Sequence, residues 1–237
     1  MSAIEKQLRD EGRDHAVQSW RHMFEKGSLK AWTSQNKNTS IDPHLETLVK
    51  LAAAERPNDT IRLLDVGSGP ISMFSKNFAG WNVSVHAADP LADDYAALLA
   101  DMGIDEEHQL ARPVKADCEA LSETLGAKSF DFIIMRNALD HTADPVASFD
   151  QLLRTCSING YVLVEQFENE AKAEKWSGFH QWNIWQEKET IFVQGKETDP
   201  VNLLQATTIA HRPINVWRNK RVSGKPWCGA LVQRIAE

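Results

Sequence analysis

The sequence predicts a doubly wound α/β chain built on a mostly parallel sheet. From residue 60 onward, short apolar runs (Ile61–Val66, Val83–Ala88, Ala111–Lys115, Phe130–Met135 and Tyr161–Gln166) alternate with helical stretches. The runs are almost continuous in Val, Ile, Leu and Phe, the pattern of strands buried on both faces. The first run also ends in Asp65-Val66-Gly67-Ser68-Gly69-Pro70, a glycine pair where a strand turns into a helix, the place at which such sheets open to ligands.

Ahead of this core, Ile4, Leu8, Ala16, Val17, Trp20, Met23 and Phe24 recur mostly three or four residues apart, and Gly27 is placed to stop that helix. A polar loop covers 33–40. Asp42-Pro43 then opens a second helix, with Asp as N-cap and Pro at its first position, running to about Glu55. Residues 1–58 are therefore expected to form an N-terminal helical cap, and 59–237 the ligand-binding domain. Within that domain, helices are predicted near 71–78, 91–102, 118–126 and 145–156. The rhythm breaks after Gln166, and an insertion of about 169–200 follows, polar and Trp-rich, with a possible strand at 190–194. The stretches 213–218 and 228–235 read as a terminal pair of strands.

The 237 residues are 42% apolar and 25% charged, the balance of a globular chain. The net charge of −7 argues against a nucleic-acid partner. No apolar run approaches the roughly 18 residues of a membrane span, and the first fifteen residues are too charged for a secretory signal, so a cytoplasmic protein is expected. Three widely spaced cysteines encode neither a disulfide framework nor a CxxC metal site.

The glycine turn needs residues without side chains because a ligand must approach the backbone closely. Asp89 closes the second run, in Ala87-Ala88-Asp89-Pro90, within reach of the two hydroxyls of a ribose. Turn and acid together indicate an adenosine-containing cofactor. A dinucleotide fingerprint would place its third glycine where Ser72 stands, and Pro70 removes an N–H that a pyrophosphate would use. Both details disfavour NAD and leave a cofactor without phosphates.

Leu64-Asp65-Val66-Gly67-Ser68-Gly69-Pro70, the acid at Asp89, Ala116-Asp117-Cys118-Glu119 and Phe130-Asp131-Phe132-Ile133-Ile134-Met135-Arg136-Asn137 together resemble the ordered motifs of class I S-adenosylmethionine (SAM)-dependent methyltransferases. The resemblance covers roughly 60–166 and departs at Ile71, where the family usually has a third glycine. It implies a Rossmann-like, seven-stranded sheet with an antiparallel last strand. It implies further that Asp65, Gly67, Ser68 and Gly69 cradle the methionine end of SAM, and that Asp89, followed by Pro90, holds the ribose. Asp117 would accept the adenine amino group with Cys118 beside the ring, and Arg136 and Asn137 would lie near the methyl. Asn137–Pro145, Glu168–Ala171 and Gly178–Asn183 are similar to methyltransferases found with bacterial surface-polysaccharide or sugar-modifying enzymes.

His141 follows the fourth run at the ligand-binding edge of the sheet, beside Asp140. It is the first candidate for the base that strips a proton from the methyl acceptor; His180 is the second. A loop-anchoring histidine is the plainer reading. Asn137, Asp140 and His141 make a thin ligand set, so no metal is expected. Trp176, Trp182 and Trp185 are spaced as a helical core stripe would be, but Gln181, Asn183 and Gln186 among them favour a lid. Trp182 and Trp185 would then touch the acceptor. From His211 onward six basic residues face one acid, the pattern of a solvated edge hairpin. The expected activity is methyl transfer from SAM to a small-molecule or glycoconjugate acceptor, at a hydroxyl. The alternatives are an aromatic or natural-product acceptor, an NAD-dependent oxidoreductase, and a SAM-binding subunit without turnover.

Overall fold

All five apolar runs become strands of one sheet, in the computed structural model of the chain, which describes residues 3–27, 50, 51, 54, 60–74, 82–104, 111–220 and 224–236. The strands are β1 (Ile61–Val66), β2 (Val83–Asp89), β3 (Pro113–Lys115), β4 (Phe130–Arg136) and β5 (Cys156–Phe167). The terminal pair, β9 (His211–Lys220) and β10 (Pro226–Arg234), completes a seven-stranded sheet of order β3-β2-β1-β4-β5-β10-β9. β1 through β5 are parallel neighbours, and β10 runs antiparallel to both β5 and β9. The order reverses between β1 and β4, which opens a crevice at their carboxyl ends.

Strand side chains alternate between faces, so each inner strand feeds two cores. On one face Leu64, Val66, Ile133, Met135, Val162 and Val164 pack under α4 (Pro145–Thr155), through Phe149, Leu152 and Leu153. On the other, Leu63, Phe132, Ile134, Tyr161 and Leu163 form a second cluster. Asp144 caps α4 by accepting from the N–H groups of Val146 and Ala147, with Pro145 at the first helical position.

The first cap helix is α1 (Ala3–Glu25), which lies against α2 (Ala92–Asp101). Trp20 and Phe24 join Tyr95, Leu98 and Leu99 in a third cluster. Arg13 pairs with Asp94, and Arg21 with Asp101 at 2.7 Å. The second cap helix, 42–55, lies outside the described residues except for Lys50, Leu51 and Ala54, which are helical.

Several elements differ from the sequence reading. The stretch 118–126 splits into a 3-10 turn (Cys118–Ala120) and the short α3 (Leu121–Leu125). Of the helix predicted at 71–78, residues 71–74 are not helical and 75–78 lie outside the described residues. The insertion extends from 168 to 210 and carries its own architecture. α5 (Glu170–Ala173) leads through a loop into an antiparallel sheet of β6 (Asn183–Glu187), β7 (Thr190–Gln194) and β8 (Val201–Asn202), and then α6 (Leu203–Ala206). No helical stripe of tryptophans forms, because residues 177–182 are coil and turn and β6 begins at Asn183.

Candidate active site

The glycine turn sits at the head of the crevice. Gly67 and Gly69 hold φ of 69° and 67°, the left-handed region in which a Cβ is strained. A Cβ on Gly67 would overlap Ala138, in the loop after β4, and one on Gly69 would overlap the Trp20 indole of α1. The turn is thus gripped from two sides. Ser68 is buried and donates to its neighbour's carbonyl, Gly69 O, at 3.0 Å. Asp65 accepts from Ser72 Oγ at 2.8 Å. Asp89 accepts from the N–H of Gly69 at 3.0 Å and of Leu91 at 2.9 Å, fixing the end of β2 against the turn.

Burial raises both carboxyl groups. Asp65 is pushed up to about 7, although the Ser72 hydrogen bond and the Arg136 charge pull it down. Asp89 is pushed up to about 6 against the opposing pull of the Leu91 and Gly69 N–H groups. Pro90 is exposed beyond it. Asp117, just before the 3-10 turn after β3, is exposed and makes no capping bond. Cys118 is buried, its Sγ 3.8 Å from the Ser148 carbonyl and its thiol pushed up to about 12 by burial. Its side chain therefore belongs to the core under α4. Two residues without side chains, a carboxylate at the end of β2, another after β3 and no N–H at Pro70 suit a phosphate-free adenosine cofactor.

Beyond the turn, the loop after β4 meets the insertion. Asn137 adopts φ of 52°, and its Oδ1 accepts from Gln166 Nε2 at 3.0 Å and the Phe167 N–H at 3.3 Å, tying β4 to β5. Asp140 is fully buried in the following 3-10 turn (Leu139–His141). Its Oδ2 lies 2.7 Å from His180 Nδ1, and its Oδ1 accepts from Gln166 Nε2 at 2.9 Å. His180 Nδ1 is also 3.2 Å from His141 Nε2. The Gln181 N–H donates to the Asp140 carbonyl at 3.1 Å, locking the two segments together. Burial lowers the His141 pKa, with only partial compensation from Asp140. Burial also acts to lower His180, but the hydrogen bond and charge of Asp140, with Glu170 and Glu174 behind, outweigh it and raise the pKa.

Both candidate bases thus come together through Asp140, which the sequence reading placed beside His141 and in a thin ligand set with Asn137. Gln166 and Glu170, whose Oε2 lies 3.2 Å from Gln166 Nε2, were not singled out as site residues. The Asn169-Glu170-Ala171 motif was the available signal. Trp20 was legible as part of an apolar helix face, not as the residue lying on the glycine turn. Arg136 is held by Glu165 at 2.7 Å and lies over the Phe74 ring. Trp182 donates from Nε1 to the Thr142 carbonyl at 2.9 Å and packs against the main core, which makes it an anchor of the insertion. Trp185 stacks on Phe192 across the β6–β7 pair, at 5.6 Å between centroids. The basic tail is partly engaged: Arg218 pairs with Glu168, and Arg234 donates to the carbonyls of Leu153, Arg154 and Cys156.

A family model described as a methyltransferase domain matches residues 40–209. Among curated proteins, none matches the chain. Among solved structures, a SAM-dependent methyltransferase from Methanosarcina mazei is similar over 84% of this chain and 100% of its own, at 15% identity and a TM-score of 0.52. The 1,6-didemethyltoxoflavin-N1-methyltransferase of Burkholderia thailandensis, with 1,6-didemethyltoxoflavin and S-adenosylhomocysteine (SAH) bound, is similar over 99% of this chain and 92% of its own, at 15% identity and a TM-score of 0.54. Among the described residues, no helix is long and apolar enough to cross a membrane.

Proposed function

The chain belongs to the methyltransferase-domain family and is a SAM-dependent methyltransferase, and from that premise we propose that it methylates a hydroxyl of a small polar acceptor, a sugar or glycoconjugate. The observation that carries this reading is the Asp140–His180–His141 cluster at the crevice edge, with separations of 2.7 and 3.2 Å. A hydroxyl is a poor nucleophile while protonated, so its methylation calls for a proton acceptor, which an amine acceptor needs less.

The cofactor supplies an electrophilic methyl when bound. Asp65, Gly67, Ser68 and Gly69 would hold its methionine end, Asp89 its ribose, and Asp117 with the Cys118 backbone its adenine. The remaining work is alignment of the acceptor and removal of its proton. His141 receives that proton, and the buried Asp140 carboxylate, 3.6 Å from its Nε2, stabilises the charge that forms. Trp182 and Trp185 shape the acceptor side by fixing the insertion.

Turnover of His141→Ala against a panel of sugars, nucleotide sugars and phenols tests the proposal. The variant should lose at least about 10²-fold in turnover and keep its SAH affinity within about threefold. Near-full activity on a hydroxyl acceptor, or transfer by the wild type to amines alone, overturns it.

A further inference from the structure

The atoms that meet at the Asp140 cluster are an imidazole nitrogen from His141, an imidazole nitrogen from His180 and a carboxylate oxygen. The separations are 2.7 Å from His180 Nδ1 to Asp140 Oδ2 and 3.2 Å from His141 Nε2 to His180 Nδ1, and His141 Nε2 lies 3.6 Å from the other carboxylate oxygen, Oδ1. Ligands about 2.0–2.2 Å from a shared metal ion, at tetrahedral or cis-octahedral angles, lie roughly 3.0–3.5 Å from one another. The 3.2 Å spacing lies within that range and the 2.7 Å spacing just under it, so an ion would need the side chains to part by only about 0.3 Å.

The proton inventory of the junction points the same way. If His180 Nδ1 carries a hydrogen and donates it to Asp140, the lone pair of His141 Nε2 has only a share in that one hydrogen. If His141 Nε2 also carries a hydrogen, two N–H groups face each other. A divalent cation satisfies all three atoms at once. The surroundings are also those of a ligand set. Gln166 Nε2 donates to Oδ1 of Asp140, leaving Oδ2 toward His180, and the Gln181 N–H holds the Asp140 backbone. His141 and His180 keep 33% and 20% of their side chains exposed, so an ion can enter and open coordination positions would remain.

We propose that Asp140, His141 and His180 bind one divalent first-row transition-metal ion. The donor set of two imidazoles and one carboxylate suits zinc, cobalt, iron or manganese and not calcium or magnesium, which take oxygen ligands. The inference rests on the reading of this cluster as the place where the acceptor loses its proton. An ion held there would coordinate the acceptor hydroxyl and make it acidic, taking over the part given above to His141 as base, so that the O–H proton leaves to water while the oxygen keeps its electron pair for the methyl.

The test uses the full chain, dialysed against chelator and titrated with Co²⁺ and Zn²⁺ by calorimetry and visible absorption. About one ion per chain should bind, with ligand-field bands for Co²⁺. His141→Ala and His180→Ala should each weaken binding by at least about tenfold while SAH titration shows an intact cofactor site. Dialysed protein should lose at least about tenfold in turnover and regain it on adding one equivalent of Zn²⁺ or Co²⁺. No ion bound by the wild type, or binding unchanged in both histidine variants, overturns the proposal. Full turnover by ion-free protein overturns it while leaving hydroxyl methylation standing. An ion that binds as described, without transfer to any hydroxyl acceptor, supports the site and sinks the acceptor reading instead.

Discussion

Replacing Asp65 with asparagine should stabilise the cofactor-free protein, and more so as pH rises. Asp65 is 3% exposed beneath the glycine turn, and burial pushes its carboxyl from 3.8 to about 7. The folded state therefore holds a proton that the unfolded chain releases near pH 4. Between those two values folding takes up a proton, so stability falls as pH rises and levels off above about 7. At about 1.4 kcal/mol per pH unit of displacement, the full cost above pH 8 is about 4 kcal/mol. Between pH 5 and pH 8 the part that develops is about 2.5 kcal/mol. Asparagine keeps the shape and still accepts from Ser72 Oγ, but has nothing to ionise. Urea unfolding of both proteins at pH 5 and pH 8 measures the effect. The variant's advantage should widen by about 2.5 kcal/mol over that interval. A constant difference at the two pH values, or a wild type that gains on the variant at pH 8, would refute the account of Asp65 as a buried carboxyl held without a sufficient partner.

Asp89 makes a second pH-dependent expectation, read in ligand binding. Charge-assisted hydrogen bonds to a ribose are worth about 1.5–3 kcal/mol each, so Asp89→Ala should weaken SAH binding at least about tenfold by calorimetry. Wild-type affinity should also decline as pH drops below about 6, where the carboxylate takes up its proton, and the variant should lack that decline. For the insertion, Trp182→Phe removes the bond to the Thr142 carbonyl and should cost about 1 kcal/mol. Trp182→Ala also removes packing against the core and should cost about 3 kcal/mol. Thermal unfolding distinguishes these from the lid expected of the sequence, for which melting would be unchanged and only acceptor kinetics would suffer.

The strands that build the crevice were legible because burial on both faces leaves a continuous apolar signature, as in Phe132-Ile133-Ile134-Met135. The glycine turn was legible for a related reason, since few residues other than glycine hold φ near +67°. The second sheet was legible only in part. β7 coincides with the strand expected at 190–194, where buried Ile191 and Val193 alternate with half-buried Thr190, Phe192 and Gln194, whereas β8 has two residues and β6 buries its first two residues and opens toward Glu187 without alternating. The tryptophans there had the spacing of a helical stripe, which does not form because β6 begins at Asn183, and the bond that ties Trp182 to Thr142 joins residues 40 apart. The Asp140–His180 pair was beyond local reading because 40 residues separate the partners. His180 was read as a second candidate base and Asp140 as a neighbour of His141, but nothing local joined the two. The same distance hid the third member of the candidate metal ligand set.

The three-stranded appendage between β5 and β9 bears on how this protein could acquire new acceptors. The residues that grip the cofactor turn all precede Asn137 save Ala138, whereas His180, Gln181 and Trp182 arrive with the appendage. Exchanging 168–210 for another segment would therefore leave one half of the chemistry in place while replacing the other, as a tool holder accepts different bits. The exchange is not free of conditions. Ile184, Ile191, Val193, Leu203, Leu204 and Ile209 plug the appendage into the main core, so any graft must bring an apolar underside of similar volume. An exchanged segment could therefore vary only on its outward surface, because its inner surface belongs to the scaffold.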